Sequence, residues 1–376
     1  MRHAWCALLL VTAGCAGRIV SYGELNRPVL IDLLRETVKV RGLEPEEPII
    51  FRVVWVETYS AERVLAEESW GDDNQTLLLR HLGIIRGADS LKTARKNLFT
   101  SGGVFGFYAG RGKGITVVDS GIRSDVLEVV AAVRGRPPFA EGMVHEIAHA
   151  LQDQHFGIDR RLDELVTSDA TFAYSALVEG DATLTAAFYD DLLAPSTKAG
   201  LFELLLSTSG PRTAEAFHRE MAHFVYAEGV RFASALHRDG GFAAIDRAFA
   251  DPPLTSLEIL HPDLFLEGVE PMKVTMSAPR GEGVVQVVLE DILGALVLGM
   301  FLYDLTDADT ARELVRAWRG DRALLLQNAG GSSAVWGVGF ADNDSARRFA
   351  TLAAWRCPEP RVDDRTVSLT CVVGAQ

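Results

Sequence analysis

The 376-residue chain lacks any run of basic residues longer than a few, and its formal net charge is -14. Phosphate recognition needs clustered Lys and Arg, so nucleic acid is excluded as the main partner. Internal repeats and low-complexity tracts are also missing. With 48% hydrophobic and 23% charged residues, the composition is that of a packed globular protein and not a disordered one. No apolar stretch reaches the length of an ordinary membrane-spanning helix. The stretch from Ile292, "ILGALVLGMFLYDL", is short and flanked by Glu290, Asp291 and Asp304, and reads as a buried core helix.

Cysteine is scarce, with four in the chain. The first two lie in "MRHAWCALLLVTAGCAG", where Arg2 precedes an apolar run from Ala4 to Ala13 and Gly14-Cys15 follows. That order reads as a bacterial lipoprotein signal over residues 1–15, with Cys15 as the lipidated new N-terminus and residues 16–26 as a tether. A plain secretory signal and an uncleaved start are the alternatives. Export would leave Cys357 and Cys371, an even pair that an oxidising compartment would join in a disulfide; two buried thiols are the other reading.

Along the rest of the chain, "VLIDLLRETVKVRGL" reads as a helix with Leu30, Leu33, Leu34 and Val38 on one side. "PIIFRVVWVET" reads as a strand and "SAERVLAEESW" as a helix. "GVFGFYAGRGKGITVVDSG" reads as a hairpin turning over Ala109 to Gly114. Helices are expected around His145, from Asp169 to Leu193, and up to a stop at Gly240-Gly241. The last hundred residues change character, with strands in "PMKVTMSA", "GVVQVV", "RALLLQ", "AVWGVGF" and "TVSLTCVV" and helices between them. The expected fold class is α+β. A mostly helical domain with a small sheet spans residues 27–270, and an α+β subdomain spans 271–376.

The chemistry concentrates in "HEIAHALQDQHF", His145 to Phe156. On a helix, residues four apart share a face, so His145 and His149 can direct two imidazoles at one ion. Glu146, beside the first ligand, can reach a metal-bound water without ligating the ion. Met143, Val144, Ile147, Ala148 and Leu151 supply the apolar stripe of a core-packed helix, and Gly157 offers a stop.

The third ligand is open between two residues. His155 falls at the last histidine of the pattern H-E-x-x-H-x-x-G-x-x-H, but its glycine is missing, and Gln152 stands there. If the helix continues, His155 lies about 9 Å further along the axis and roughly 240° round it. Breaking the helix at Gln152 would cost on the order of 1–2 kcal/mol. Glu179, in "SALVEGDAT", sits on a second helical stretch with Ser175, Ala176, Ala182, Thr183 and Ala186 as small neighbours. Small residues permit the close helix approach that a shared ion needs, although Gly180 disfavours helix. Asp181 or Asp153 could orient a histidine from behind.

"GFYAGRGKGITVVD", "VHEIAHALQDQHF", "ALVEGDAT", "YAEGVRFASALHRDGGFAAIDRAF" and "PPLTSLEILHPDLF" follow one another in an order that resembles a largely uncharacterised family of bacterial and archaeal exported HExxH metallopeptidases. These are zincins of the glutamate-ligand type. The likeness covers roughly residues 41–265. It implies His145, His149 and Glu179 as ligands of a Zn2+ cofactor and Glu146 as base to a zinc-bound water. It also implies an edge strand from the hairpin that pairs with an extended substrate. Tyr226 and His261 lie in family-like segments and are the candidates for stabilising the oxyanion, though either could be an ordinary core or loop residue.

The resulting expectation is a lipid-anchored, extracytoplasmic zinc hydrolase of the bacterial cell envelope, acting on peptide or protein substrates. Two alternatives stand beside it: an envelope lipoprotein that keeps the zinc fold as a non-catalytic binding or structural protein, and a hydrolase of other envelope amides such as peptidoglycan stem peptides.

Overall fold

The computed structural model describes residues 18–55, 73–95, 106–110, 114–119, 135–191, 194–206, 212–276 and 285–372. The signal-like segment with Cys15 and the helix expected over residues 60–70 lie outside them, as does the tip of the hairpin turn. The class is α+β. Among the described residues no helix is long and apolar enough to cross a membrane.

A two-strand ladder, β1 (Val20–Ser21) and β2 (Glu24–Leu25), leads into helix α1 (Arg27–Arg41). Asn26 caps that helix, Pro28 occupies its first turn and Gly42 closes it in a left-handed conformation. β3 (Ile50–Trp55) follows, then helix α2 (Asp73–His81). The hairpin forms as β4 (Gly106–Ala109) and β5 (Gly114–Asp119). The three strands make one sheet in the order β3-β5-β4, with β3 parallel and β4 antiparallel to β5, so β4 is an edge.

Helix α3 (Ala140–Phe156) runs past β4 and β5 and carries the HExxH residues. Its stripe Met143, Val144, Ile147, Ala148 and Leu151 is fully buried. It packs with Leu30, Leu33, Ile115 and Val117 in one apolar cluster beneath the sheet. The helix continues unbroken through Gln152 to Phe156 and ends at Gly157, whose φ is 62°.

Helix α4 (Ser168–Asp190) is nearly encased, packed between α3 on one side and later helices on the other. Helix α5 (Ala214–His223) runs into a π turn (Phe224–Glu228) and then α6 (Gly229–Ala250). The expected stop at Gly240-Gly241 is a kink: Gly241 has a φ of 66°, and helical turns resume to Ala250.

The C-terminal stretch builds a five-stranded antiparallel sheet, β6 (Gln286–Asp291), β7 (Trp318–Asn328), β8 (Gly331–Phe340), β9 (Arg361–Asp363) and β10 (Thr366–Cys371), in the order β6-β7-β8-β10-β9. Helices α7 (Gly294–Leu302), α8 (Ala308–Ala317) and α9 (Asn343–Ala353) complete it. The apolar stretch from Ile292 forms α7, whose Val297, Leu298, Phe301 and Leu302 are buried. A disulfide joins Cys357 and Cys371.

"PMKVTMSA", expected as a strand, forms no ladder over residues 271–276. Met272 donates one backbone bond to the Arg319 carbonyl, and the methionines settle over glycines. A Cβ on Gly339 would sit 2.0 Å from the Met272 methyl, and one on Gly337 would sit 2.3 Å from Met276 Sδ. Side-chain packing, not pairing, holds this segment.

A single apolar cluster runs from Leu78 through Phe172 and Phe232 to Trp318, Trp336 and Leu369, so α4 and the C-terminal sheet share a core. Three buried carboxylates lie near that boundary, and one of them, Asp291, spans it. Asp291 accepts from the Ser168 amide and hydroxyl, Asp169 accepts from the Ser256 amide, and Asp321 accepts from the Leu293 and Gly294 amides. The helix that bears Glu179 is thereby pinned at its N-terminus.

Candidate metal centre

Helix α3 places His145 and His149 one turn apart, with their rings edge to face at 4.5 Å between centroids. Glu179 arrives from α4. Its Oε2 lies 3.0 Å from His145 Nε2 and 3.4 Å from His149 Nε2, and the two Nε2 atoms are 2.9 Å apart. All three ligand atoms fall within 4.8 Å of one another. Two imidazole nitrogens facing each other and one carboxylate oxygen form a donor set that suits a divalent cation, zinc above all. The side chains are 12–23% exposed, so the cluster can be reached from solvent.

The approach of α4 depends on glycine. A Cβ on Gly180 would lie 2.2 Å from the Gly229 carbonyl oxygen, and one on Gly229 would lie 2.4 Å from the Ala176 carbonyl oxygen. The residue that disfavours helix in isolation is the one that lets α4 meet the π turn. Glu179, next to Gly180, and Tyr226, three before Gly229, are brought together by that contact. The Tyr226 hydroxyl hydrogen-bonds Glu179, and its ring stands 6.5 Å from that of His145.

Glu146 stays out of the ligand set. Its Oε2 accepts a 2.6 Å bond from the Tyr108 amide on edge strand β4, and the Tyr108 hydroxyl donates to Asp153 two turns further along α3. Tyr108 therefore clamps the edge strand to helix α3 at two points.

The charges are arranged to oppose one another. Burial raises the Glu146 carboxyl above its ordinary range, against the pull of the two histidines. Burial would likewise raise Glu179, but the histidines outweigh it and hold this carboxyl well below the usual range. Burial would lower His149, but the Glu179 carboxylate outweighs it and holds the imidazole up at about 9. The negative charge of Glu179, with burial second, pushes the Tyr226 phenol well above its ordinary value, so it stays protonated.

The structure thus brings together His145, Glu146, His149, Glu179 and Tyr226. His155 is not among them: its Nε2 bonds the Glu44 carbonyl at 2.7 Å, at the end of the unbroken helix. His261 stands apart as well. It lies between the short helices Ser256–Leu260 and Pro262–Leu266, where its Nδ1 meets Arg316 at 3.1 Å. Asp153 bonds Tyr108 and the Asp159 amide, and neither His145 nor His149. Asp181 reaches His149 only through Gln152.

Gln152, Arg41 and Tyr108 make contacts around the site that their local sequence does not announce. A fully buried Gln at helical spacing from a ligand histidine is a signal for the first. Arg41 and Tyr108 gave none, because their partners are distant in the chain. No family model, curated protein or solved structure matches the chain.

Proposed function

We propose that this chain is a zincin of the glutamate-ligand type: an exported, zinc-dependent hydrolase of peptide bonds, with Glu146 as general base. The observation that carries this reading is the convergence of His145, His149 and Glu179, with a carboxylate held beside them but outside the ligand set. A purely structural site has no use for that fourth group.

Zinc bound by the three residues would supply Lewis acidity to a water and to the substrate carbonyl. Glu146 would remove the proton of the attacking water, and burial, which raises its carboxyl above the ordinary range, makes it the stronger base. The Tyr108 amide fixes one carboxylate oxygen and leaves the other for that proton. Tyr226, kept protonated, would turn its single O–H from Glu179 to the oxyanion that develops on the carbonyl. Edge strand β4 lies against the same helix and offers backbone groups to an extended substrate. Attachment at Cys15 would hold the enzyme at the membrane on the extracytoplasmic side, where the Cys357–Cys371 disulfide persists.

The test is a substrate-profiling digest, using peptide libraries and muropeptides, that compares the wild type with Glu146→Gln. Cleavage by the wild type alone, with metal retained in both, supports the reading. Cleavage of muropeptides and no proteins moves the substrate to cell-wall amides. A zinc-loaded wild type that cleaves neither overturns the assignment and leaves a binding lipoprotein.

A further inference from the structure

Behind His149, on the side away from His145 and Glu179, three buried side chains form a chain of hydrogen bonds. The Gln152 amide nitrogen lies 3.1 Å from the Val178 carbonyl oxygen and 2.8 Å from Asp181 Oδ2. Both neighbours are acceptors only, so this end of the amide must be the NH2. The Gln152 carbonyl oxygen then faces His149 Nδ1, at 2.9 Å. An acceptor at Nδ1 keeps a proton on that nitrogen, so Nε2, the atom that points at His145 and Glu179, is the one that would give up its proton to ligate an ion. Flipping the amide would set its carbonyl oxygen against two other oxygens and its NH2 against the Nδ1 proton.

Asp181 is held in its turn. Arg41 Nε donates to it at 2.9 Å, and both side chains are 0% exposed. The same guanidinium donates to Asp246 at 2.6 Å and lies 4.8 Å from the centre of the Phe242 ring. Arg41 is the last residue of α1, so the first helix of the protein is tied through Asp181 and Gln152 to a ligand histidine.

We propose that Gln152 is a positioning residue for the metal, which sets the orientation and the proton-bearing nitrogen of His149, and that the buried Arg41–Asp181 pair sets Gln152. The proposal rests on the zinc reading above. It assigns a reason for Gln at the position where H-E-x-x-H-x-x-G-x-x-H has glycine: an unbroken helix here serves the second ligand instead of delivering a third. Histidine ligands commonly give their second nitrogen to a carboxylate or carbonyl, and losing that partner costs about 10–100-fold in metal affinity. In this site a neutral amide stands between the carboxylate and the ring.

Zinc affinity, measured by chelator competition, and the visible spectrum of the cobalt-substituted protein test it. Gln152→Leu should weaken zinc binding by about 10–100-fold and alter the cobalt spectrum while the metal-free fold keeps its circular dichroism. Gln154→Leu, whose side chain bonds only the backbone at Glu46 and Glu47, should do neither. Gln152→Glu sets two carboxylates against each other and should also lose affinity. Adding Asp181→Asn restores a donor opposite the new carboxylate and should recover much of that loss.

Wild-type affinity and spectrum in Gln152→Leu would overturn the proposal. So would a double variant no better than Gln152→Glu alone. Glu179→Ala separates the layers: if it loses zinc and Gln152→Leu does not, only the positioning role fails. If the wild type takes up no zinc, the underlying reading fails.

Discussion

Gly180→Ala puts the geometry of the centre under direct strain. In an exposed helix this change stabilises by up to about 1 kcal/mol, because alanine is the better helix former. Here the new Cβ would meet the Gly229 carbonyl oxygen at 2.2 Å and its carbon at 2.4 Å. Both are backbone atoms, so no side chain can swing aside. Reaching ordinary contact near 3.4 Å asks α4 to retreat by about 1.2 Å, and α4 is packed against α3 on its other side. Overpacking of this kind costs roughly 1–3 kcal/mol, and rigid helices on both sides place it at the upper end. The propensity gain cannot offset that, so a net loss of about 2 kcal/mol is expected. The metal should feel it too, since ligand distances in zinc sites hold to about 0.2 Å and Glu179 adjoins the substituted residue. Urea unfolding and zinc competition read the two effects. Gly200→Ala is the control: it lies in helix Pro195–Leu206 with nothing within 4 Å of the new Cβ, and should be neutral or stabilising. If Gly180→Ala behaves like Gly200→Ala in both assays, the close helix contact is not what sets the centre.

Three further outcomes are expected. With His149 held at about 9 in the metal-free protein, zinc uptake at neutral pH displaces a proton. Apparent affinity should therefore rise about tenfold per pH unit up to that value and then level, and calorimetry in buffers of different ionisation enthalpy should count one proton released. Buried Asp169 is raised to about 8 by desolvation, so the folded state resists its ionisation while the unfolded chain ionises near the ordinary value. Stability it confers is complete below the unfolded pKa and is lost as pH climbs towards 8; Asp169→Asn should flatten that decline and raise the melting temperature at pH 9 more than at pH 5. Replacing Cys357 and Cys371 together by serine opens a closure spanning 14 residues and should cost about 3 kcal/mol, read as a lower urea midpoint in the oxidised protein only.

The candidate site was legible where chemistry and helical period coincide. His145, Glu146 and His149 declare themselves by spacing, and the unbroken helix that removes His155 follows from Gln152 and its helix-compatible neighbours. Glu179 could be chosen because the small residues around it signal close packing. Gly180 argues against a helix in the sequence, since its propensity is local while its reason, the Gly229 carbonyl, is 49 residues away. The same limit hid Arg41, whose partners Asp181 and Asp246 are 140 and 205 residues distant. Residues 271–276 failed in the other direction: alternating Met and Val look like a strand, but the glycines of β7 and β8 offer a groove that methionine fills better than a ladder would. His261 is a candidate by its surroundings in the chain, and in space its ring meets Arg316.

The π turn amounts to an α-helix carrying one surplus residue, and such turns are frequent at functional sites. Deleting one codon between Phe224 and Glu228 would repair the helix, merging α5 with α6 under regular bonding. It would also turn everything before the deletion by about 100° relative to everything after it. Either Tyr226 would leave Glu179 or α5 would leave its bed. A screen for heat resistance and a screen for hydrolysis would sort such deletions in opposite directions, which makes these five residues the place to look for a trade between sturdiness and activity in this fold.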